Sequence, residues 1–159
     1  MTSVAAPPSH RRHRRRLLIG LVVYAAFLGW VVLWPSASAA TGVVVHTADG
    51  LSDLGVPAGL ASGGRVEFAL NAAMVVPLTV FAVQLWPRWG WERWTAYAFV
   101  GSCAVELFQG LLLPMRSAQF ADVVANTLGA GAGAVLGQLF LARSRRNGSS
   151  GGPEAYEPD

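Results

Sequence analysis

Glu106, Gln109, Arg116, Asp122 and Asn126 stand in and between two consecutive apolar runs. Glu106 and Gln109 are three apart in the first run, and Asp122 and Asn126 are four apart in the second. On helices, each spacing puts its pair on one face. Arg116 occupies the short link between the runs. An ionisable group at the centre of a membrane helix costs about 2.5–3.5 kcal/mol, so it needs a partner and marks a functional site. Two carboxylates, two amides and a guanidinium converging at one membrane surface could bind an anionic headgroup. Glu106 and Asp122 could also divide acid and base roles, if their surroundings separated their proton affinities.

The composition places these groups in a membrane. Hydrophobic residues make up 53% of the 159 and charged residues 13%, against about 25% charge in a soluble domain. Mean hydropathy is +0.41. Four apolar stretches approach or exceed the roughly 20 residues that cross a bilayer: Leu17–Trp34, Val66–Trp86, Trp94–Leu113 and Ala121–Ala142. The expected fold is an all-α, polytopic membrane protein, with four transmembrane helices in a compact bundle and both termini cytoplasmic. Residues 1–16 read as a basic cytoplasmic tail, 17–142 as the transmembrane domain, and 143–159 as a disordered cytoplasmic tail. The 36–64 stretch, with His46, Asp49 and Asp53, reads as the longest loop, without assigned structure.

Orientation rests on arginine. All twelve basic residues are arginine, and this topology collects ten of them on the side of the N-terminus, leaving Arg65 and Arg116 on the other. That is a positive-inside pattern. Trp30 and Trp34 mark the outer end of the first span, and Trp86, Trp89, Trp91 and Trp94 line the inner loop as an aromatic belt. The run Arg11 to Arg16 sets orientation and suits anionic lipid headgroups; no basic-aromatic patch points to nucleic acid. A cleaved signal peptide ending near Ala37-Ser38-Ala39 is the alternative to an uncleaved first span. Its apolar core of 18 residues is longer than the usual 7–15 or so.

In this topology the polar residues gather toward the outer side. Glu106 lies eight residues before Pro114, about 12 Å below the outer end of its helix. Glu67 and Asn71, again four apart, add a third pair from the second span. The local acids are Glu67, Glu106, Asp122 and Asp53, with Arg65 and Arg116 as the nearby cations. Plainer roles exist. Asp122 can cap its helix. Asn126 can make an interhelical hydrogen bond. The whole set can be a clamp between the third and fourth spans, with Arg116 folding back onto Glu106. Gly129, Gly133 and Gly137 recur every four residues and would let helices approach closely, within the bundle or in an oligomer. Pro77 should kink the second span, and Pro114 should end the third. The single cysteine, Cys103, excludes an intramolecular disulfide and reads as a small buried residue. No metal-ligand spacing and no cofactor motif is visible; His46 with Asp49 is a weak pair, and Ser117 has no evident base.

The stretch Glu106-Leu107-Phe108-Gln109, then Arg116, then Asp122-Val123-Val124-Ala125-Asn126-Thr127-Leu128-Gly129-Ala130 resembles the signature of VanZ-like membrane proteins. Glu67-Phe68-Ala69-Leu70-Asn71 with Pro77 resembles that family's second motif. The likeness covers about residues 65–137. The family tends to carry an aromatic just before the Pro77 position and a glycine just after it, where this chain has Val75-Val76 and Leu78-Thr79. The resemblance implies a multi-pass protein of a bacterial plasma membrane, with Glu67, Asn71, Glu106, Gln109, Arg116, Asp122 and Asn126 as the ligand-binding set. It also implies a link to glycopeptide, notably teicoplanin, resistance. The expected function is binding of an envelope lipid headgroup or lipid-linked wall precursor in an outward-facing polar pocket. The alternatives are an enzyme acting on such a lipid, or a non-catalytic helper subunit docking through Gly129, Gly133 and Gly137.

Overall fold

In a computed structural model the backbone is described for residues 8–33, 37–112 and 119–149, and all of its regular elements are helices. They are α1 (Pro8–Leu33), α2 (Ala37–Asp53), α3 (Gly63–Leu85), α4 (Trp91–Leu112) and α5 (Phe120–Ser149). All but α2 contain a segment long and apolar enough to cross a membrane. The expected all-helical, four-span architecture is therefore observed. Arg116, Pro114 and Ser117 lie outside the described residues, as do Trp34 and the tail beyond 149.

Helix directions follow from which residues meet. The Tyr24 hydroxyl donates to the Met74 carbonyl at 2.8 Å, and Gly20 lies against the Phe81 ring. Rising numbers in α1 meet falling numbers in α3, so these helices are antiparallel. The α5 glycines at 129, 133 and 137 face Ala72, Val76 and Val83 in order, so α3 and α5 are parallel. Asn126 meets Ser102 and Gly131 meets Thr95, so α4 runs against α5. One end of the bundle therefore holds the C-termini of α1 and α4 and the N-termini of α3 and α5.

The core is the α3–α5 seam. A Cβ at Gly129 would fall 2.8 Å from the Ala72 carbonyl carbon, and one at Gly133 would fall 2.5 Å from the Val76 oxygen. Glycine there lets the two backbones touch. Val83, Ala125 and Ala134 are fully buried along the same seam. Pro77 sits inside α3, which continues through it; the carbonyl of Met74, three residues back, takes the Tyr24 hydroxyl. Around the α3–α4 link Trp86, Trp89, Trp94 and Tyr97 cluster ring against ring, with the Trp89 and Trp94 centroids 5.0 Å apart and tilted.

Two segments and one side chain depart from expectation. The 36–64 loop holds α2, closed by a Schellman cap: Val56 N–H donates to the Leu51 carbonyl, Gly55 N–H to that of Ser52, and Gly55 has φ +83°. Both ends of α2 join the same end of the bundle, and its 17 residues span only about 25 Å, so it does not cross. The basic tail is helical from Pro8, since proline suits the first helical position and arginine the interior. Residues 143–149, expected to be disordered, extend α5, with Arg146 in its last turn, where a cation suits the dipole. Cys103, expected to be buried, is exposed on the flank of α4, beside buried Ser102.

Candidate functional site

The helix directions bring the three predicted pairs to the same end of the bundle. Glu67 and Asn71 occupy the first turns of α3 and are half-buried. Glu106 and Gln109 lie in the last turns of α4, only 8% and 5% exposed. Asp122 and Asn126 open α5. An amphipathic stripe of Ser102, Glu106 and Gln109, spaced four and three, turns inward from α4 because these groups would otherwise face hydrocarbon.

These side chains form a network through four helices. Asn71 Nδ2 donates to Asp122 Oδ1 at 2.8 Å, joining α3 to α5. Asn126 Nδ2 donates to Ser102 Oγ at 3.0 Å, joining α5 to α4. Gln109 Nε2 donates to the Val32 carbonyl at 2.9 Å, joining α4 to α1. Glu106 Oε2 accepts the backbone N–H of Gln119 at 2.7 Å. Gln119 in turn accepts the N–H of Asp122 on its own carbonyl at 3.1 Å. Glu106 and Asp122 are thus connected through one residue of the α4–α5 link. Asp122 lies in the first turn of α5, where a carboxylate suits the helix dipole.

Of the residues singled out in the sequence, Glu67, Asn71, Glu106, Gln109, Asp122 and Asn126 lie toward the same end of the bundle, and all but Glu67 take part in the hydrogen bonds above. Arg116 belongs to the undescribed part of the link. Three further contributors were missed. Ser102 could have been found by its place four residues before Glu106. Gln119 acts through its backbone and leaves no side-chain signal. Tyr24 reaches Met74 fifty residues away and is visible only in the fold. Arg65 bonds the Gly59 carbonyl, in the turn before α3. His46 and Asp49 stand exposed on α2. No group of three or more metal-binding side chains forms among the described residues.

Below the network lies a groove of about 480 Å³ between α1, α3 and α4, with Asn126 of α5 in its wall. Its lining is mostly apolar, with Thr79, Ser102 and Asn126 along it and the polar-tipped rings of Trp86, Trp94 and Tyr97 toward the α3–α4 link. The arrangement can hold a polar group against amides and carboxylates at one end, with a hydrocarbon surface running away from it.

No curated protein and no solved structure matches this chain. The VanZ/LLP1 family model matches residues 21–141, a range that holds the second and third spans whole, most of the fourth, the C-terminal half of the first, and every residue of the polar network. With that match over most of its length, the four-span chain belongs to the VanZ/LLP1 family.

Proposed function

We propose that this protein sits in a bacterial plasma membrane with its polar end facing outward, and binds the headgroup of an envelope lipid or lipid-linked wall precursor there. The observation that carries the reading is Glu106, 8% exposed and hydrogen-bonded to the α4–α5 link, at the end of the bundle where polar side chains tie four helices together. A packing clamp needs one or two polar contacts between neighbouring helices. These contacts gather carboxylates and amides toward one end of the bundle, where each ionisable group carries a cost in hydrocarbon. Arg116, in the same link as Gln119, supplies a cation for an anionic headgroup. Ten of the twelve arginines then face the cytoplasm, in keeping with positive-inside insertion. Occupying a wall precursor, or reordering the lipids around it, would alter how teicoplanin-like glycopeptides reach their target.

Native mass spectrometry of the detergent-purified protein tests this, comparing wild type with Glu106→Gln and Arg116→Ala. A specific envelope lipid retained by wild type and lost from both variants is the expected result. Equal lipid content in all three, at equal helicity and melting temperature, refutes it.

A further inference from the structure

Helix α2 has two unlike faces. His46, Asp49 and Asp53, three and four residues apart, are all exposed and share one stripe of the helix. Val44, Thr47, Ala48 and Leu51 are half-buried on the opposite stripe. Val43 and Val45 flank that inner stripe and are exposed. The turn that follows is apolar as well. Residues 54–64 carry no charged side chain, and Leu54 and Leu60 are 83% and 60% exposed. A turn in water is built from polar residues, glycine and proline; two bare leucines beside an apolar helix edge mark a contact surface instead.

The position of α2 says what that surface meets. The helix starts four residues after α1 ends, and α1 packs beside α3. Val44 Cγ1 lies 3.9 Å from where a Cβ would stand on Gly63, the first residue of α3. From Ala37 to Val44 is about 10 Å of helix, which matches the roughly 8–10 Å between the axes of packed helices. These distances fit a helix laid across the end of α1 and α3. A hairpin running back along α3 would bring the last turn of α2, not its middle, to Gly63. The rest of α2 carries Asp53 about 14 Å beyond that contact. Among the described residues α2 packs on α3 and not comparably on α4 or α5, so its C-terminal half and the turn overhang the bundle. Buried Ala61 and the Arg65 bond to the Gly59 carbonyl hold the turn to the start of α3. Because α1 and α3 both cross the bilayer, the overhang begins at the membrane surface.

We infer that α2 and the 54–61 turn form a lipid-contacting surface. Leu54 and Leu60 insert into the boundary between headgroups and acyl chains at the polar end, and His46, Asp49 and Asp53 face water. The occupant is the lipid of the adjoining leaflet, because the apolar turn runs directly into a helix that already spans that leaflet. Helices that lie in a membrane interface usually carry lysine or arginine on the polar face. Helix α2 has neither, and two of its side chains are acids. Apolar insertion, rather than attraction to anionic headgroups, therefore drives the contact. The surface holds the polar end at headgroup level, whether or not the network there binds a headgroup.

The test uses the full-length protein with Cys103→Ala, carrying Leu54→Cys, Leu60→Cys or Asp49→Cys one at a time, each with a nitroxide spin label. The protein is placed in vesicles of phosphatidylcholine, with and without phosphatidylglycerol, and power saturation compares access of oxygen with that of a water-soluble nickel chelate. Leu107→Cys, on the exposed flank of α4, is the reference for lipid. The expected oxygen-to-nickel ratio at positions 54 and 60 approaches that at 107 and is severalfold above that at 49, in both vesicle types. Hydroxyl-radical footprinting of the unsubstituted protein in the same vesicles should oxidise His46 and spare Leu54 and Leu60, which decides the matter even if a labelled variant misfolds. Nickel access at 54 and 60 equal to that at 49, or oxidation of both leucines, overturns the inference by placing the turn in water. So does spin–spin broadening at 54 that dilution with unlabelled protein removes, which would make a second copy the occupant. Burial seen only with phosphatidylglycerol overturns the apolar account. Loss of headgroup binding in Glu106→Gln with the 54 and 60 ratios unchanged would leave this surface standing by itself.

Discussion

Gly129→Ala is the sharpest perturbation of this fold. The new Cβ would lie 2.8 Å from the carbonyl carbon and 2.9 Å from the Cα of Ala72. All of the atoms it meets are backbone, so no side chain can rotate away and α3 must move. Forced overpacking of this kind costs about 1–3 kcal/mol. Glycine to alanine also gains helix propensity, about 1 kcal/mol in soluble hosts, which could mask the clash. Gly29→Ala in α1 supplies the control, because its Cβ would meet nothing within 4 Å. Both changes carry the same propensity gain, so their difference isolates the packing cost. Gly129→Ala should therefore be less stable than Gly29→Ala by about 1–3 kcal/mol, a factor of roughly 5–150 in the unfolding equilibrium. Gly131→Ala, whose Cβ would lie 3.2 Å from the movable Thr95 hydroxyl, should fall between them. The assay is reversible unfolding by dodecyl sulfate in mild-detergent micelles, followed by far-ultraviolet circular dichroism. Equal midpoints for Gly129→Ala and Gly29→Ala would refute the close α3–α5 seam.

The polar network gives three further expectations. Asn71→Ala and Asp122→Ala should be non-additive by about 0.6–1.7 kcal/mol in a double-mutant cycle, the range for hydrogen bonds between membrane helices; strict additivity would contradict the 2.8 Å contact. Gln109→Leu, which removes the bond to Val32, should raise amide exchange in the C-terminal half of α1 while leaving α3 and α5 protected, and unchanged exchange in α1 would contradict the tether. Cys103, on the exposed flank of α4, faces hydrocarbon in the bilayer. It should resist a charged maleimide in intact membranes yet react fully once the protein is unfolded in dodecyl sulfate, and rapid labelling in membranes would place that face in water.

Much of the site was legible because its signals are local. An acid in an apolar run stands out at any register, and Glu106 with Gln109 or Asp122 with Asn126 declares its face by spacing alone. The partners were not legible. Asn71 bonds Asp122 across 51 positions, a pairing that exists because α3 and α5 are parallel and glycine lets them touch. Sequence reading offered Arg116, outside the described residues, as the partner of Glu106; among the described residues Glu106 also accepts the Gln119 backbone N–H, a contact that no side-chain pattern encodes. Helix α2 escaped notice because Gly42, Gly50 and the Val43–Val45 run are poor helix formers, although Gly55 was present as its stop signal.

The sequence by itself determined that this chain crosses a membrane four times, which polar residues face inward, and to which family its motifs point. Those properties follow from hydrophobicity and periodicity, which are written along one dimension and need no partner to be read. Tertiary structure alone decided which of the polar side chains pair, that the α5 glycines are filled by α3, that Cys103 faces outward, and that a groove opens between α1, α3 and α4. Each of these depends on helix direction and on which backbones approach, and that is settled by packing between segments far apart in the chain.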